Sequence, residues 1–140
     1  MEDKRTLSEV VPLLVAALVC DVAVADPTTG KKNLIGIFHT VFAERFPTKR
    51  PMTLYMKVAD ARGYYEFEAR YVQVESGRTL ASAKGSIQAP DRLGSTDLYI
   101  PFPPLPIPAE GQYEFQVWAN SRFLGSISLD ARPRPRPERA

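Results

Sequence analysis

The segment GQYEFQVWANSRFLGSISLD, Gly111 to Asp130, constrains the fold more than any other part of this chain. It alternates apolar and polar residues, breaks at Asn120-Ser121, and alternates again. A period of two on both sides of a two-residue turn is the signature of a β-hairpin. Tyr113, Phe115 and Val117 fall on one face, and Glu114, Gln116 and Trp118 on the other. Gly111-x-Tyr113 has the spacing found at the entry to the penultimate strand of an immunoglobulin-like sandwich.

The rest of the chain reads the same way. Leu13 to Ala25 is a long apolar run, rich in β-branched Val15, Val19, Val22 and Val24, which favours a strand. Asp26-Pro27-Thr28-Thr29-Gly30 is turn chemistry, because Asp accepts backbone donors, Pro presets φ and Gly permits positive φ. Leu34 to Phe42 is a second apolar strand that should pair with the first. Met52 to Asp60 and Tyr65 to Tyr71 alternate, and a phase slip at Val72-Gln73-Val74 predicts a bulge. Leu80 to Ala89 is a weaker strand, and Leu93 to Phe102 a seventh. Pro101 to Pro108 carries five prolines, so it is expected outside the sheets as an extended crossover. The expectation is one all-β domain over residues 10–131: an immunoglobulin-like two-sheet antiparallel β-sandwich of seven to eight strands, with no internal repeat.

Charge separates that body from its ends. Residues 132–140 hold Arg132, Arg134, Arg136 and Arg139 against Glu138, a net of +3, while the chain as a whole is +2. The body is thus close to neutral, which argues against a broad nucleic-acid-binding face. The Arg/Pro segment 132–140 is expected to be disordered, with weak, salt-sensitive attraction for anions at most. Residues 1–9 are polar and expected to be flexible.

Val10 to Cys20 has the apolar length of a signal-peptide core, behind Lys4 and Arg5. Glu2, Asp3 and Glu9 cancel the positive charge such a signal needs, and Leu18-Val19 before Cys20 are not the small residues of a lipoprotein site. The reading is therefore cytoplasmic, with secretion through an N-terminal signal as the alternative. The run is about half the roughly 20 residues of a membrane span. One cysteine excludes an intramolecular disulfide and suits a reducing compartment.

Leu18-Val19-Cys20-Asp21, Asp26-x-x-Thr29-Gly30-Lys31, Asn33-Leu34-Ile35-Gly36-Ile37-Phe38 and Phe46-Pro47, in that order, resemble a family of small bacterial proteins of unknown function. The proline-rich Leu98 to Pro108 and the closing Gly111-x-Tyr113-x-Phe115 extend the resemblance over residues 13–131. It implies an immunoglobulin-like sandwich in a bacterial cytoplasm. Its motifs are turns and core positions, so it transfers no activity and no functional residue.

Cys20 and His39 form the sole nucleophile–base pair the composition permits, and they flank the 26–30 turn at similar distance. Within an apolar run, however, a thiol is ordinarily inert packing. Asp21, Asp26, Asp60, Asp91 and Asp97 are too scattered for a calcium loop and read as turn caps. Glu66, Glu68 and Arg70 read as a solvated strand face. Neither a catalytic group, a metal site nor a cofactor site is expected.

Two features point to contact with another protein. Ile35, Ile37 and Val41 oppose Leu34, Phe38 and Phe42, so the first strands are apolar on both faces, whereas a two-layer sandwich buries one face of each sheet. Trp118 lies on the polar side of the terminal hairpin, near Arg122, and tryptophan is enriched at interface hot spots. The chain therefore reads as a non-enzymatic module acting through a protein partner or a homo-oligomer, with Ile35, Ile37, Val41, Trp118 and Arg122 as the contact residues. The alternative is a small-ligand or carbohydrate-binding sandwich stacking its ligand on Tyr64, Tyr65, Trp118 or Phe123.

Overall fold

A computed structural model describes residues 6–89 and 94–135. Nine strands run in chain order: β1 Leu13–Ala25, β2 Lys32–Phe38, β3 Thr40–Ala43, β4 Thr48–Ala59, β5 Gly63–Gln73, β6 Arg78–Ala89, β7 Ser95–Ile107, β8 Gly111–Ala119 and β9 Arg122–Pro133. They form two sheets, ordered β2-β1-β4-β7 and β3-β9-β8-β5-β6. The fold is all-β, as the alternation requires. It is not the all-antiparallel immunoglobulin sandwich expected, because β3 runs parallel to β9 and makes the five-stranded sheet mixed.

The ninth strand arises where the sequence shows no punctuation. Leu34 to Phe42 reads as one apolar run, yet β2 ends at Phe38 and β3 starts at Thr40 in the other sheet. His39, between them, accepts a hydrogen bond on its carbonyl from Asp130 N–H at 2.9 Å, the first rung of the new pairing. The proline-rich segment is also placed differently. Pro101 to Ile107 belongs to β7, paired with β4 from Thr53↔Pro101 to Thr48↔Ile107. β7 is the last strand of its sheet, so prolines without an N–H leave the outer edge unpaired rather than breaking a central ladder. The pairing shifts register between Arg50 and Met52, beside Pro51.

The terminal hairpin forms as read. Asn120 and Ser121 have φ of 47° and 67°, both left-handed, as a type I′ turn needs, and Ala119 faces Arg122 across it. Tyr113 is fully buried, and its hydroxyl donates to the Ala109 carbonyl at 2.6 Å, four residues upstream. The phase slip near Val72 is a register shift between Tyr71 and Val72 against β6.

The core lies between the sheets. Val19, Leu54, Met56, Val58, Ile100 and Phe102 face Tyr65, Phe67, Tyr71, Tyr113, Phe115 and Leu129. Tyr71 stacks on Tyr113 at 5.5 Å, and Phe102 meets Phe115 from the opposite sheet at 5.4 Å. Each fully buried aliphatic here contributes on the order of 1.5–3 kcal/mol.

Both ends of the chain are tied further than residues 10–131. Leu7 bridges Tyr64, the Ser8 N–H donates to the Tyr64 carbonyl at 2.9 Å, and the Ser8 hydroxyl bonds the Arg62 carbonyl. At the other end β9 continues through Arg132 and Pro133, and the Arg134 N–H donates to the Ala43 carbonyl at 2.9 Å. The rest of the expected tail, 136–140, lies outside the described residues, as do residues 1–5.

Candidate interaction surface

Pairing fixes which side chains share a face. Cys20 stands opposite Ile37, Val22 opposite Ile35 and Val24 opposite Asn33. Val19, by contrast, stands opposite Leu54, a core residue. The face bearing Cys20, Val22, Val24, Ile35 and Ile37 is therefore the outer face of the four-stranded sheet. Ile35 is 59% exposed, Ile37 56%, and Val22 and Val24 48% each. Leu13 and Val15, 61% and 52% exposed, extend the same outer stripe along β1 beyond the register shift between Leu14 and Ala16. Leu14 points inward, where its Cδ2 would lie 2.9 Å from a Cβ added at Gly125.

Lys32 pairs with Asp97 at 2.9 Å, and the Tyr55 hydroxyl donates to Asp97 at 2.8 Å. Burial and the bond to Asp97 push the Tyr55 phenol up to about 12. Desolvation works to raise the Asp97 carboxyl, but the bonds from Lys32 and Tyr55 outweigh it and hold the group below its ordinary value.

The expected contact residues do not all belong together. Ile35 and Ile37 do. Val41, expected beside them, is 2% exposed and part of the core. Its odd position faces outward only while the chain stays in one sheet. The crossing at His39 reverses the phase, so Val41 points inward and Phe42, at 47%, outward.

Trp118 lies on the outer face of the other sheet and is half-buried. The Arg70 guanidinium sits 4.4 Å above its ring, Phe123 packs edge-on at 5.3 Å, and Arg70 also ion-pairs with Glu68. Its indole N–H is buried without a hydrogen-bond partner among the described residues. Arg122 is exposed but faces Ala119 across the turn, whereas Trp118 faces Phe123, so the two side chains sit on opposite faces. Tyr65, expected as a stacking surface, is 1% exposed with its hydroxyl donating to the Val10 carbonyl at 2.8 Å.

Cys20 and His39 are not assembled as a pair. The thiol is fully covered although it points outward, and it contacts the Val22 carbonyl at 3.5 Å. Burial, with Asp21 beside it, raises its pKa and disfavours the nucleophilic thiolate. Asp26 caps its turn by accepting from Thr28 and Thr29 N–H at 2.8 and 3.1 Å. Asp91 lies outside the described residues, and no three His, Cys, Asp or Glu among those described converge on a metal position.

An open cleft of about 660 Å³ runs between β3 and the start of β4, lined by Arg45, Lys49, Arg50 and Arg134 with Asp21 and Glu44. Arg50 pairs with Asp21 at 2.8 Å and Arg134 with Glu44 at 3.2 Å, which neutralises half of those cations.

Sequence reasoning missed the share of β1 in the apolar face: Leu13, Val15, Val22 and Val24. The signal was the double-faced apolar run over Leu13 to Ala25, but the choice of face needed the pairing with β2 and β4.

Residues 15–132 match the model of a family described as of unknown function (DUF6941). No curated protein matches the chain.

Proposed function

We propose, for a chain that belongs to the DUF6941 family of unknown function, that it is a protein-contact module docking through the outer face of β1 and β2. The observation behind this reading is a sheet face with Val22, Val24, Ile35 and Ile37 each about half exposed. Contiguous apolar patches of that kind mark interaction surfaces, because water solvates them at a cost that docking removes. The thiol is covered, Asp26 caps its turn, and Asp21, Glu44, Glu68, Asp97 and Asp130 sit in ion pairs. The single cysteine suits action in a reducing compartment such as a bacterial cytoplasm.

A photo-crosslinking residue placed at Ile37 in the native host tests the reading, with one at Val74, exposed between β5 and β6, as the control. Adducts from position 37 and none from position 74 are expected. Absence of adducts from 37 at native expression would remove the reading.

A further inference from the structure

We infer that the occupant of this face is a second copy of the chain, the two outer faces packed together across a two-fold axis. The inference rests on the contact reading above and supplies its partner.

Area is the first argument. Leu13, Val15, Val22, Val24, Ile35 and Ile37, at 48–61% exposure, present on the order of 600 Å² of surface, close to the roughly 800 Å² per partner of a standard interface. Half-buried Leu18, Tyr55 and Tyr99 border the patch and add to it. Packed against its own copy, a face of this size reaches the low end of the area that specific interfaces bury.

Chemistry is the second. An isologous interface must tolerate meeting its own image. Aliphatic side chains do so, and no carboxylate or ammonium lies among Val22, Val24, Ile35 and Ile37. Lys57, on the internal strand β4, stands opposite Ala16, and Lys32 of β2 is paired with Asp97 of β7. A pleated face of β-branched residues also interdigitates with a copy of itself in the aligned packing that sheets adopt.

Light scattering or sedimentation equilibrium on the purified chain, from about 1 to about 100 μM, tests the assignment. The wild type is expected at twice its 15.6 kDa. Ile35→Lys with Ile37→Lys should bring it to the single-chain mass with an unchanged circular dichroism spectrum, since both positions are exposed. Val74→Lys, away from this face, should leave the dimer intact. A wild type at single-chain mass throughout, or a dimer that survives the double substitution, overturns the inference. In the first case, adducts of another protein at position 37 would still uphold the contact reading, so the two fail separately.

Discussion

Asn120 holds the terminal hairpin to the N-terminal segment, and its loss can be worked out in parts. Its backbone has φ of 47°, its Oδ1 accepts from Glu66 N–H at 2.9 Å, and its Nδ2 donates to the Ser8 and Tyr64 carbonyls at 3.1 and 3.3 Å. Asn120→Gly keeps the left-handed turn and removes the three side-chain bonds. At about 1 kcal/mol for each of the shorter two, and little for the longest, partly solvated bond, the loss is about 2 kcal/mol. Asn120→Ala removes the same bonds and places a Cβ in the left-handed region, which costs about 1 kcal/mol more. The order of stability is therefore wild type, Gly, then Ala, at losses of about 2 and about 3 kcal/mol. Urea unfolding followed by circular dichroism measures both, with unchanged slopes showing that the native state is otherwise intact. Amide exchange at Leu7 to Val10 should accelerate in both variants. Alanine as stable as glycine, or glycine within about 0.5 kcal/mol of wild type, would refute the reasoning.

Other expectations follow from single contacts. Tyr113→Phe leaves the Ala109 carbonyl and N–H without their partner in a buried corner and should cost about 1–3 kcal/mol in the same assay. Gly36→Ala places a Cβ in contact with the Asp21 carboxylate at φ of 71° and should both destabilise the fold and loosen the Arg50–Asp21 pair. Thiol titration should find Cys20 unreactive toward a bulky disulfide reagent in the native state at neutral pH and fully reactive in urea, because it is covered and its pKa is raised. The Thr28 and Thr29 N–H groups depress the Asp26 carboxyl below 3.8, so its contribution is complete above that value and fades as pH falls through the lower, folded value. Asp26→Asn should therefore flatten the acid limb of the stability profile and leave the alkaline limb unchanged.

The hairpin, the turns and most strands were legible because each rests on local physics. Alternation sets Tyr113, Phe115 and Val117 inward; Asn120-Ser121 adopts the turn; Asp26 caps its own loop. The misplacements come from long-range pairing. Nothing between Phe38 and Thr40 signals a change of sheet, so the sequence alone puts Val41 on the outer face, whereas it is buried in the core. The prolines of β7 are tolerated because that strand is an edge, a property of strand order rather than of local sequence. Alternation puts Trp118 outside the core, where it lies, but Arg70 and Phe123 cover it, and both neighbours come from other strands. The same limit left β1 out of the candidate surface, although its residues were visibly apolar.

Docking between copies would bury the outer face of β1 and β2. Bleaching of isoleucine methyl NMR signals by a soluble paramagnetic probe tests this most directly, at low and high protein concentration. Ile35 and Ile37 should lose their bleaching as concentration rises, while Val74, observed as a valine methyl control, bleaches throughout. Bleaching of Ile35 and Ile37 that stays constant with concentration, at the level of their 59% and 56% exposure, would contradict it.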